Sequence, residues 1–419
     1  VCQPSKAGLG INLICGKRPS RITMMPGVTR YQNKGPFRVR KAKFMGQFAL
    51  GQSVPRTEDP RLLRGRGSYA DDTVLHRQAA SYVLRSPHAH ARITAIDTRA
   101  AARLPGVLCI LTGEDWVATN YGFIAPTIPR HRRNGDPLYA PVRPSLTLDR
   151  VMLVGDPVAF IVAETVDQAK DAAEKITIDY EALPIVTETD EAYESDAALW
   201  DECPENESFY FTQGDKEAVD AAFARADHVT ELRIAFNRIT AATMEPRGCI
   251  AEFDAREQRY TLHTGVQRPH GLRSDIARSV LGIPETDLRV VSGDVGGSFG
   301  MKGNYFPEYQ LALLAARLIE RPVKWICERS EAMLTDEHDR DMISRAALAL
   351  DSDGNFLALR ASNVANIGAY MLPGGIISPT MHVGGLAGTY VTPHIFVEVS
   401  AVFSNTGCCG PYRGSGRPE

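Results

Sequence analysis

The stretch GDVGGSFGMKG, Gly293–Gly303, places four glycines within its first eight residues, between the β-branched run Leu288–Val291 and the helix-like run Pro307–Ile319. Glycine removes side chains and permits positive φ, so such a loop reads either as a tight strand-to-helix turn or as a nest of N–H groups aimed at an anion such as phosphate. The spacing is not GxGxxG, and Lys302 is followed by Gly303 rather than Ser or Thr, so neither the dinucleotide fingerprint nor the Walker loop fits. A second loop, GPYRGSGRPE, spans Gly410–Glu419. Its Arg413 could orient a carbonyl or carboxylate bidentately, or cap the loop as an ion pair. Gln267, in TGVQRPH, carries an amide that donates without adding charge, though a surface glutamine opening a helix is the plainer reading. His88 and His90 form an H-x-H pair with no third ligand in view and read as structural. Glu245, just before Pro246, reads as an ion-pair partner of Arg247 rather than a base.

These residues need elements to hold them. From about Gln78 to Pro184, short apolar strands alternate with helical segments: 80–84, 92–96 and 107–112 read as strands, and 151–163 as two strands around the turn at Gly155. Thr165 and Gln168 form a capping box opening a helix over 167–175, which leads to a strand at 176–180. Residues 185–214 are acidic with little apolar periodicity and read as a solvated linker. Beyond it the pattern predicts a helix at 216–226, strands at 228–236, 250–253 and 260–264, a helix at 269–281, the strand 288–291 before the glycine loop, and a late strand at 395–403.

Composition excludes several classes. Hydrophobic residues make up 44% and charged residues 23% of the 419, and no apolar run reaches the roughly 18 residues of a membrane helix, so membrane insertion is not expected. Residues 1–44 carry ten Lys or Arg and no acid; the remainder holds 37 basic against 50 acidic residues, a balance of −13. An acidic body disfavours nucleic acid as a partner. The basic extension 1–44 reads as a transit peptide, a nucleic-acid tail or no natural segment; the preferred reading is translation from upstream of a true start at Met45, leaving it disordered or non-native. Eight cysteines without a C-x-x-C pair suggest neither a disulfide framework nor a resident iron–sulfur cluster.

Taken together, the two loops resemble the paired cofactor-contacting loops of the molybdopterin-binding large subunit of the xanthine dehydrogenase and aerobic carbon monoxide dehydrogenase family. DPRLLRGRGSYADD (Asp59–Asp72), SPHAHA (Ser86–Ala91), DYEALP (Asp179–Pro184), MEPRG (Met244–Gly248) and RPVKW (Arg321–Trp325) agree in order and spacing, so the resemblance covers about 46–419. It implies an α+β chain: a hammerhead-like α/β domain at 45–184, the linker 185–214, and the first molybdenum-cofactor-binding domain at 215–419, incomplete because family subunits run several hundred residues further.

The resemblance also implies roles. Gln267 stands beside the molybdenum and donates to its apical oxo ligand; Phe299 walls the substrate pocket; Arg413 lies near substrate or cofactor. Gly296, Gly297, Ser298, Gly300 and Gly414 complete the cofactor contacts, and no side chain ligates the metal. The cofactor is expected in its molybdopterin cytosine dinucleotide form. Partners would be an FAD-binding medium subunit, a small subunit with two [2Fe–2S] clusters and the remaining C-terminal half of the large subunit, in a cytoplasmic heterotrimer. Carbon monoxide dehydrogenases carry a copper-binding cysteine where this chain has Gly414, with Cys408 and Cys409 displaced upstream, so copper is not expected. Xanthine-type enzymes carry glutamate where this chain has Gly303. What remains is hydroxylation of an aldehyde or N-heterocycle with water as oxygen source. The family's general-base glutamate lies near the end of the full-length subunit, so the chain alone is expected to be inactive. The alternative is a non-catalytic cofactor-binding fragment, or half of a split subunit, that needs a second chain.

Overall fold

The computed structural model describes residues 55–418; the expected extension 1–44 lies outside them. The chain divides into two compact units, 1–60 and 61–419, and the second carries every strand found among the described residues.

Pro157–Ala163, PVAFIVA, is buried at every position. An uninterrupted apolar run of this length is what a strand covered on both faces requires. Phe160 and Val162 join one core cluster with Leu311, Leu314 and Trp325, whereas Ala159, Ile161 and Ala163 join another with Ala169, Ala172 and Ala173. The helix Val166–Ala173 therefore covers one face and the helix Pro307–Ile319 the other. The first opens with the expected capping box, Gln168 N donating to Thr165 Oγ1 at 3.2 Å and Thr165 N to Gln168 Oε1 at 3.1 Å. The second starts on Pro307, whose ring presets φ for a first turn, and is buried nearly all round.

This strand belongs to a seven-stranded sheet ordered Leu288–Val291, Arg259–Thr264, Gly248–Asp254, Val323–Ile326, Ala79–Arg85, Pro157–Ala163, Val107–Thr112. Segments expected in two successive domains, 45–184 and 215–419, thus share one sheet through the parallel pairing of Ala79 with Val323. Beneath it lies a buried ion network. Arg85 donates to Glu308 at 2.6 Å and Glu331 at 2.8 Å, and Arg247 donates to Glu308 at 2.9 Å and Asp336 at 2.6 Å. The Arg247 guanidinium also lies 4.0 Å from the Phe306 ring centroid. Both arginines converge on one carboxylate, so each sheet half anchors the other.

A five-stranded sheet, ordered Glu207–Gly214, His394–Phe403, Phe356–Gly368, Met342–Leu350, His228–Phe236, forms the second layer system. Its first strand corrects the linker expectation for 185–214. That segment forms the helix Thr189–Glu194 and an edge strand, and it buries Val186, Ala192, Leu199, Cys203 and Phe209. Several of its acids meet arginines rather than solvent alone, Asp190 with Arg233 at 2.7 Å and Glu207 with Arg133 at 3.0 Å. The expected continuous helix over 269–281 divides into an α-helix, Pro269–Ser274, and a π-helical turn, Asp275–Leu281. Among the described residues no helix is long and apolar enough to cross a membrane.

Candidate functional site

Strands Arg259–Thr264 and Leu288–Val291 pair in parallel, Tyr260 opposite Leu288 and His263 opposite Val291. Parallel strands discharge their following loops at the same end of a sheet. Val266–Gln267 and the glycine loop therefore emerge side by side, and Gln267 N donates to Lys302 O at 2.9 Å. The loop's start is pinned by Asp294, which accepts from Arg61 at 2.5 and 2.7 Å and from Ser68 N at 2.7 Å. These bonds, led by that from Arg61, hold its carboxyl down at about 2.

Gln267 folds its amide against the loop. Its Oε1 accepts from Ser298 Oγ at 2.7 Å and Gly300 N at 3.2 Å. A backbone N–H can only donate, so the oxygen must face the loop and Nε2 must face outward. Among the described residues Nε2 has no hydrogen-bond partner, and neither do the backbone amides of Gly297, Ser298 and Phe299.

The turn these amides make is strained. Gly297, Phe299 and Gly300 have φ of 103°, 55° and 111°. Positive φ is costly for an aromatic residue, and such outliers persist only where surrounding structure fixes them. Phe299 is nonetheless 51% exposed. The terminal loop does the fixing: Arg413 N donates to Phe299 O at 2.8 Å, and a Cβ at Gly300 would stand 2.4 Å from Pro411 O. Only glycine lets the loops touch at that point. Tyr412 anchors the second loop, its N–H donating to Asp339 Oδ2 at 2.8 Å and its hydroxyl to Glu337 O. The segments that carry Gln267, Phe299 and Arg413, separated by up to 146 positions, are thereby brought side by side. The Arg413 side chain is exposed and has no partner among the described residues. Gly414 follows at φ 106°.

Gly296 has a different role from the neighbouring Gly297. Its amide donates to Glu245 Oε2 at 2.8 Å, and a Cβ there would meet Glu245 Cβ at 2.3 Å. Glu245 also accepts from Lys302 Nζ at 2.8 Å, correcting the expected pair with Arg247, which serves the deeper network. The Lys302 side chain is fully buried, and burial lowers its pKa against the opposing pull of Glu245. This clasp beneath the loop was not legible in sequence, because the partner of Lys302 lies 57 positions away.

The remaining candidates lie elsewhere. His90 Nδ1 is 2.6 Å from Pro184 O and the His88 ring packs 4.7 Å from Tyr180, and no group of three metal-ligating residues occurs among the described residues. Cys408 and Cys409 are buried; burial pushes both thiols up, Cys409 to about 12.

Residues 199–419 match the family description "Molybdopterin cofactor-binding domain", and residues 64–184 match "Aldehyde oxidase and xanthine dehydrogenase, a/b hammerhead domain". The chain is 34% identical over 372 residues to subunit gamma of the 6-hydroxypseudooxynicotine dehydrogenase complex of Paenarthrobacter nicotinovorans, covering 88% of this chain and 46% of that one. It is 33% identical over 386 residues to the carbon monoxide dehydrogenase large chain of Afipia carboxidovorans, again covering 88% and 46%. The crystal structure of quinoline 2-oxidoreductase from Pseudomonas putida 86 superposes with a TM-score of 0.81 at 34% identity, covering 88% of this chain and 46% of that one. The chain thus spans a little under half the length of these relatives. On the cofactor-domain match, which takes in more than half of its residues, the chain belongs to the molybdopterin-binding large subunits of the xanthine dehydrogenase and aerobic carbon monoxide dehydrogenase family.

Proposed function

We propose that this chain forms one wall of an active site that hydroxylates an aldehyde or an N-heterocycle with oxygen from water. The observation that most supports this reading is the row of unpartnered amides, Gly297 to Phe299, beside the outward Nε2 of Gln267. A surface that offers only donors suits an anionic cofactor, and the molybdopterin cytosine dinucleotide form fits that chemistry. Gly297, Ser298 and Phe299 would hold the group from their backbone, with Gly300 and Gly414 leaving space. Gln267 would donate one uncharged hydrogen bond to it, oriented by Ser298. Phe299 would wall the pocket, and Arg413 would orient a substrate carbonyl or ring nitrogen. When bound, the molybdenum group supplies the two-electron oxidation of a substrate carbon.

Electrons would leave through a small subunit with two [2Fe–2S] clusters and an FAD-binding medium subunit, in the cytoplasm. Copper has no place in this reading: position 414 offers no sulfur, and the nearby thiols are buried, which disfavours the thiolate a metal would need. Because the chain spans under half of its relatives, residues beyond these would close the cleft and supply a general base, worth roughly 10²–10⁴-fold in rate. The chain by itself is then a cofactor-binding half without turnover.

Metal analysis tests the reading. The complete large subunit, assembled with its partners, should hold stoichiometric molybdenum and no copper, and Gly300→Ala should lose the molybdenum. Full metal content in Gly300→Ala, or copper at one per molybdenum, would refute the site as drawn. Steady turnover by the 419-residue chain alone would refute the division of labour.

A further inference from the structure

Beside the glycine loop lies a second feature, a cavity of about 50 Å³ lined by Trp116, Arg143, Gln310, Asn304 and Glu337. It adjoins the cleft through sequence neighbours on both sides: Asn304 follows Gly303, and Arg268, also in the lining, follows Gln267 and donates to Gly303 O at 2.5 Å. Three of its lining donors are buried without a partner, Trp116 Nε1, Arg143 Nε and Gln310 Nε2. Gln310 accepts at Oε1 from Ser145 Oγ and Tyr305 OH, each at 2.6 Å, which turns Nε2 to the cavity. Buried donors are almost always satisfied, and three in one cavity point to an acceptor that completes them.

The charges narrow the acceptor's chemistry. Arg268 is neutralised by Asp275 at 2.6 Å, and Glu337 is engaged by Asn304. Arg143 makes no hydrogen bond and no ion pair among the described residues; Cys408, Asp156, Glu308 and Glu337 act on it only through space. A guanidinium without a contact partner, beside the unpartnered donors of Trp116 and Gln310, suits a planar anion that takes two parallel bonds. A water needs roughly 10–15 Å³ of such space, so this volume admits a carboxylate but not a ring. Apolar side chains, Phe123, Ile124, Met371 and Leu372, share the lining, and Phe123 is 47% exposed, which connects the cavity to the surface.

We propose that Arg143, Gln310 and Trp116 form a carboxylate subsite, so that the enzyme's substrate is an aromatic or heteroaromatic acid held by its carboxylate in this cavity while its ring stays outside, at the mouth marked by the exposed Phe123. This rests on the hydroxylase reading and adds the substrate's charge to it. The same anion chemistry could be met by a carboxylate side chain from the remainder of the large subunit, and the test separates the two sources.

Benzoate and benzamide, which share a ring and differ in charge, are titrated by calorimetry into the 419-residue chain and into the cofactor-free complete large subunit. Benzoate is expected to bind both at least roughly tenfold more tightly than benzamide, the scale of one charge-assisted contact. Arg143→Gln should bring that ratio to about one, and Arg143→Lys should retain part of it. If Arg143→Gln does not fold, Gln310→Leu serves instead, and it should weaken benzoate while leaving benzamide unchanged. Equal affinities in the wild type, or a preference that survives Arg143→Gln, would overturn the subsite. Benzoate binding to the chain but not to the complete subunit would overturn it in favour of an internal carboxylate. Binding is read without cofactor, so a negative result leaves molybdenum content untouched, and a failed hydroxylase reading leaves benzoate binding measurable in Gln267→Ala.

Discussion

Glu308 and Glu337 are equally hidden, each 2% exposed, yet their surroundings act on them in opposite directions. Burial pushes both carboxyls up. At Glu308 the guanidiniums of Arg247 and Arg85 more than reverse it, and the group settles at about 2. At Glu337 the chief opposition is one amide, Asn304, with Arg143 a weaker influence, and the group rises to about 7. The first belongs to a network in which every charge is answered and which ties the two halves of the sheet together. The second lines a cavity that still contains unanswered donors. Depth alone does not decide what a buried carboxyl does; the partners left over do. A satisfied region is a foundation, and an unsatisfied one is a place for a ligand.

The largest effect should come from breaking the satisfied region. Glu308→Ala takes from two buried arginines the carboxylate they share, leaving Arg85 only Glu331 and Arg247 only Asp336, and should cost about 3–5 kcal/mol, measured by chemical denaturation at neutral pH. A loss under about 1 kcal/mol would mean that the network is not what joins the halves. Next comes pH. The folded pKa of Glu308 lies below its usual 4.5, so its contribution is present above that value and is lost as pH falls towards 2. The folded pKa of Glu337 lies above 4.5, so its contribution is present below that value and is lost as pH rises through about 7. Each shift corresponds to roughly 3 kcal/mol across its window. Denaturation of Glu308→Gln and Glu337→Gln from pH 3 to 8 should remove the acid-side slope in the first and the neutral-side slope in the second. Identical profiles would erase the contrast. The same window can be read as a gain: Glu337→Gln keeps the shape without the charge and should stabilise the protein by roughly 2–3 kcal/mol at pH 8 while changing little at pH 5.

Local pattern carried much of this into the sequence. The strand Leu288–Val291, the helix Pro307–Ile319 and the capping box at Thr165 were legible because each is set by residues a few positions apart. The glycine spacing likewise announced a loop with positive φ. The seven-stranded sheet was not legible, since the pairing of Ala79 with Val323 joins residues that no local periodicity connects. The acidic run at 185–214 misled for a related reason: the arginines that neutralise it, Arg133 and Arg233, sit on other segments. Arg143 carried no signal at all, because a lone arginine becomes informative only when its partners are seen to be missing.

The proposed role of Gln267 bears most directly on the site. In the complete enzyme, Gln267→Ala removes one outward donor and leaves the amides of Gly297, Ser298 and Phe299 in place. Molybdenum per chain and turnover should be measured on the same preparation. Metal content is expected to stay near the wild-type level while turnover falls roughly 10²-fold, the scale of losing one preorganised donor. Unchanged turnover, or metal lost in step with activity, would contradict the placement of Gln267 beside the reacting centre.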